Sequence, residues 1–143
     1  MLNFAQLNRT CAKIKKEMNP STYDYKDFIK RIEDSLKEHW DQDAFTDYQG
    51  ATLQYHDVAR KIEKLHILFE YADIHPGDKI ALCGRNSSGW ASAMLAILTY
   101  GAVAVAILHE FKAKQVHDIV NHSGARLLFA GDQALSLIHI SEP

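Results

Sequence analysis

The sequence predicts an α/β fold: an open, mainly parallel βαβαβ sheet preceded by an N-terminal helix and a short hairpin. Three observations carry this expectation. The stretch from His75 to Leu108 reads turn, apolar strand, polar loop, apolar helix, glycine break and apolar strand. A helical period follows from Phe111 to His122, and another apolar run from Arg126 to Ala130. Strand alternating with helix gives parallel strands joined by right-handed crossovers.

The elements follow in order. Residues 1–22 are mixed and close near the breaker cluster Asn19-Pro20-Ser21, so they are read as an N-terminal extension. From Tyr25 to Trp40, apolar Phe28, Ile29, Ile32, Leu36 and Trp40 recur at helical spacing, with charged residues between them. Ala44 to Tyr48 and Thr52 to Tyr55 flank Gln49-Gly50, a hairpin signal. Val58, Ile62, Leu65, Leu68 and Phe69 mark a helix from Tyr55 to Tyr71. Asp73 to Asp78, with Pro76 and Gly77, is a turn.

Lys79 to Cys83 is a short apolar strand, and Gly84 to Ser88 a polar loop in which Asn86 or Ser87 can cap the next helix. Trp90 to Tyr100 is apolar all round, which predicts burial on every side. Gly101 stops it. Ala102 to Leu108 is continuously apolar and valine-rich, as a parallel strand covered on both faces would be. Phe111 to His122 turns Val116, Ile119 and Val120 inward. Such a helix and strand need layers on both sides, and few elements are available to supply them. The chain therefore reads as an incomplete part of a larger domain, with an exposed core able to self-associate.

Composition narrows the function. The chain is 47% hydrophobic and 24% charged, an ordinary globular balance that argues against disorder. A net charge of -2 without a basic block argues against nucleic acid as the main partner. The lysines of Lys13 to Lys16 read as a solvated helix face. Cys11 and Cys83 make no disulfide framework, which fits a reducing cytoplasm, and no signal peptide is visible. The uncharged run from Gly89 to Leu108 has transmembrane length, about 20 residues. Gly101 in its middle, its β-branched second half and the strand just before it favour the βαβ reading.

Candidate chemistry is sparse. Gly84-Arg85-Asn86-Ser87-Ser88-Gly89 follows a strand and opens a helix, where backbone amides can cradle a phosphate. It is neither GxGxxG nor a P-loop, so a plain capped βα loop is the better reading. His109-Glu110 lacks the second histidine of HExxH, and His109, His117 and His122 have no ligand spacing. Ser87 and Ser88 lack the GxSxG context of a nucleophile. Asp41, Asp43 and Asp47 read as solvated turn residues. No catalytic, cofactor-binding or metal-ligating residue is assigned.

A family resemblance rests on ordered motifs. Leu53-Gln54-Tyr55-His56-Asp57-Val58 resembles the early TYxEL motif of adenylate-forming (AMP-binding) enzymes. Ile74-His75-Pro76-Gly77-Asp78-Lys79-Ile80-Ala81-Leu82 resembles their PGD turn and strand, and Asn86-Ser87 with Trp90 their NSxEW. Leu98-Thr99-Tyr100-Gly101-Ala102-Val103-Ala104-Val105 is similar to their GAVAVP segment, and Asn121-His122-Ser123-Gly124-Ala125-Arg126-Leu127-Leu128-Phe129 to their DSGARxLF segment. The segment His109-Glu110-Phe111-Lys112 looks most like bacterial long-chain fatty acyl-CoA synthetases. In this frame residues 23–133 are part of the N-terminal subdomain of an AMP-binding domain, and residues 134–143 a non-family tail resembling read-through on a truncated gene.

The resemblance implies a cytoplasmic parent that activates a fatty acid or other carboxylate with ATP and Mg2+, then passes the acyl group to coenzyme A. It leaves room for a peripheral membrane contact of that parent. It also implies that the phosphate loop, base-recognition segment and mobile lysine lie beyond the matched residues, so this stretch binds no cofactor and is inactive alone. The family pattern carries proline where this chain has Ala106, which is expected to loosen the strand end. A standalone nucleotide-binding or interaction module is the alternative. A single-span membrane protein through residues 89–108 is a third reading.

Overall fold

A computed structural model describes residues 25–131. The expected extension at residues 1–22, with Cys11, and the expected tail at residues 134–143 lie outside the described residues. The chain divides into two units, Met1–Asp34 and Ser35–Pro143. In the first, the described part is the beginning of helix α1, Tyr25–Glu38, with Asp27 in its first turn. An acidic residue there suits the positive end of the helix dipole.

The second unit opens with a two-stranded antiparallel hairpin, β1 (Asp43–Thr46) and β2 (Thr52–Gln54). Gln49 takes a positive φ of 53° in the turn, and Asp47 N–H donates to the Ala51 carbonyl across 3.1 Å. Helix α2 follows directly, Tyr55–Tyr71. Asp57 closes its first turn by accepting the Gln54 N–H at 3.1 Å.

The remaining elements are β3 (Lys79–Gly84), α3 (Ser88–Tyr100), β4 (Val103–Leu108), α4 (Ala113–Ser123) and β5 (Leu127–Ala130). The strands form one parallel sheet in the order β4-β3-β5. The chain leaves β3 for β4 on one side, then returns past β3 to β5 on the other. With a single crossover hand, that reversal puts the two connecting helices on opposite faces.

The packing follows this geometry. Ile80 and Leu82 of β3 join Val58, Ile62 and Phe69 of α2 and Ala93, Ala96 and Ile97 of α3 in one buried cluster. Ala81 and Cys83 point the other way and join Ile107 and Val116 in a second. His66 of α2, on the first side, has Nε2 3.0 Å from the Ala96 carbonyl and 3.0 Å from Thr99 Oγ1, bridging α2 to α3.

Fold class and element order match the sequence expectation, with two corrections. Among the described residues β4 is an edge strand, not a strand covered on both faces: Val103 is 46% and Leu108 62% exposed. The two-sided strand is β3, because the second crossover passes β4 by. α3 is fully buried on one face only, at Ser92, Ala93, Ala96 and Ile97; its other apolar residues are half-buried, since a single sheet face and α2 cover it. β4 continues through Ala106, in register with Leu82, and on to Leu108. Among the described residues no helix is long and apolar enough to cross a membrane, so the run from Gly89 to Leu108 is a helix, a left-handed Gly101 and a strand.

Candidate functional site

In an open parallel sheet, a crevice forms at the carboxyl ends of the strands where the winding reverses. Here that place is beyond Gly84 of β3 and Ala130 of β5. A cavity of about 590 Å³ occupies it. Leu82, Cys83, Phe129 and Ala130 contribute from the strands, Trp90 and Ala93 from α3, and Leu65 from α2. Gly131 N–H donates to the Cys83 carbonyl at 2.9 Å, and a side chain on Gly131 would lie 3.6 Å from the Gly84 Cα. The strand ends thus approach without side chains between them.

The rest of the lining carries one sign of charge. Lys61 and Lys64 of α2 and Arg85 of the β3–α3 loop line the cavity, with His109 beside them. No carboxylate is among the described lining residues. An apolar wall with cations around it suits an amphipathic anion. A second hollow of about 450 Å³ lies at the end of β4, between Arg85, Asn86, Trp90, Leu108, His109 and Glu110.

The amino end of α3 borders the first cavity, and the Ser88 and Trp90 amides there are already engaged by side chains. Ser87 Oγ accepts the Trp90 N–H at 3.1 Å, the cap foreseen from sequence. Asp47 Oδ1 accepts the Ser88 N–H at 2.7 Å, and Asp47 Oδ2 accepts the Ser88 hydroxyl at 2.7 Å. Those two bonds, the hydroxyl's first, hold the Asp47 carboxyl below the usual carboxylate range. Asp47 is therefore not a solvated turn residue as expected, but a carboxylate that closes a helix start. A phosphate at the Gly84 to Gly89 loop would meet this carboxylate beside the Ser88 amide, which Asp47 already occupies. No described His, Cys, Asp or Glu cluster of three could hold a metal ion such as magnesium.

The other candidates scatter. His109 borders both cavities, and Glu110 borders the second. His117 lies within 3.2 Å of the Asn121 amide on exposed α4, and His122 sits in that helix's last turn. Asp41 lies 3.7 Å from His56 Nδ1, and Asp43 pairs with Gln54 in the hairpin. Burial pushes the Cys83 thiol up. Sequence reasoning missed Lys61 and Lys64. Only their shared helical face, three residues apart on α2, could have signalled them.

Fold and crevice define a doubly wound parallel α/β unit. Comparison with known proteins is more specific: residues 32–142 match the AMP-binding enzyme family, and the chain belongs to that family. The matched range takes in most of residues 134–143. A fatty acid–[acyl-carrier-protein] ligase, ScoC of Streptomyces coeruleorubidus, is 29% identical over 85 residues, covering 59% of this chain and 16% of that protein. The anthranilate CoA ligase AuaEII in complex with anthranoyl-AMP superposes with a TM-score of 0.72 at 20% identity, over 81% of this chain and 22% of that one. The N-terminal subdomain of Klebsiella oxytoca NpsA superposes with a TM-score of 0.62 at 22% identity, over 71% of this chain and 27% of that one. The chain thus spans between 16% and 27% of these relatives.

Proposed function

We propose that this chain is the N-terminal scaffold portion of an ATP-dependent carboxylate ligase. The parent would couple a carboxylate to AMP, release pyrophosphate, and transfer the acyl group to a thiol. A fatty acid and coenzyme A are the substrates favoured here, with ATP and Mg2+ as cofactors. The observation that carries the reading is the family match from residue 32 to 142, laid on a parallel sheet. The fatty-acid ligase among the relatives supports the acyl class, and the CoA ligase among the solved structures supports thioester formation. In this reading the 143 residues position loops that the rest of the parent supplies, and alone they are inactive.

The test is pyrophosphate release by the purified chain with Mg-ATP, coenzyme A and decanoate or benzoate. No release above a boiled control is expected. Turnover would overturn the scaffold reading. A longer clone of the same gene is expected to release pyrophosphate only when a carboxylate is present.

A further inference from the structure

We draw no further inference here: the strongest candidate, the cavity of about 590 Å³ beyond the ends of β3 and β5 with Lys61, Lys64 and Arg85 in its lining, belongs to the site already described, and nothing in the structure shows whether a ligand or another part of the chain fills it.

Discussion

Arg126 Nη1 donates to Asp78 Oδ2 across 2.7 Å and to the Asp73 carbonyl across 2.8 Å, so one guanidinium joins the start of β5 to the turn that launches β3. Asp78 Oδ2 also accepts the His75 N–H at 2.8 Å. These bonds, the His75 amide's first, hold the Asp78 carboxyl below its ordinary value. A depressed carboxyl contributes stability in full above the unfolded value, about 4, and loses it as pH falls through the lower folded value. Asp78→Asn is therefore expected to lower Tm at neutral pH and to flatten the acid limb below about pH 4. Thermal melts across that range check it, and parallel acid limbs for the two proteins would exclude the linkage.

The α3 start should be fragile in two independent ways. Ser87→Ala removes the acceptor for Trp90 N–H and is expected to cost about 1 kcal/mol. Asp47→Ala frees the Ser88 amide and hydroxyl together and should lower the urea midpoint as well. Both are read from urea unfolding followed by tryptophan fluorescence.

Ile97 is fully buried against the first core, whereas Leu95 on the same helix is only partly buried. Ile97→Ala is expected to cost about 2–5 kcal/mol and Leu95→Ala clearly less. Equal losses would mean that α3 is covered all round after all.

Gly101 ends α3 at φ 85°, and a Cβ there would meet Pro76 Cβ at 3.4 Å. Gly124 ends α4 at φ 69° with nothing within 4 Å of that position. Gly101→Ala should cost at least as much as Gly124→Ala, for which backbone strain alone gives about 1–2 kcal/mol. Paired denaturation curves decide the order.

Cys83 is buried between β4 and α4, and its thiol is pushed up by that burial. In a Cys11→Ser background, Ellman's reagent at neutral pH is expected to label it only as fast as the protein opens, and at once in denaturant. Immediate labelling of folded protein would contradict the packing of the second cluster.

Local pattern made most of the elements legible. The apolar spacing of Val58, Ile62, Leu65 and Phe69 predicts a helix over Tyr55–Tyr71, and the helix has those bounds. Strand order was not legible. VAVAIL has the composition of a central strand, but which strand is central depends on where the crossover after α4 lands. The site was hidden for a related reason. Ser88 and its partner Asp47 are 41 residues apart, and the lysines, Trp90 and Phe129 meet at the cavity from separate elements. No periodicity within one segment encodes such meetings.

The alternation along β3 has a consequence for folding. Ile80 and Leu82 serve one cluster, Ala81 and Cys83 the other, and the two clusters share no side chain. A slip of one residue in that strand would send Ile80 and Leu82 into the second cluster and Ala81 and Cys83 into the first, mismatching both at once. Neither interior can settle while the other is mis-set, so this unit is expected to unfold as one cooperative step, with the β3 amides exchanging only on global opening.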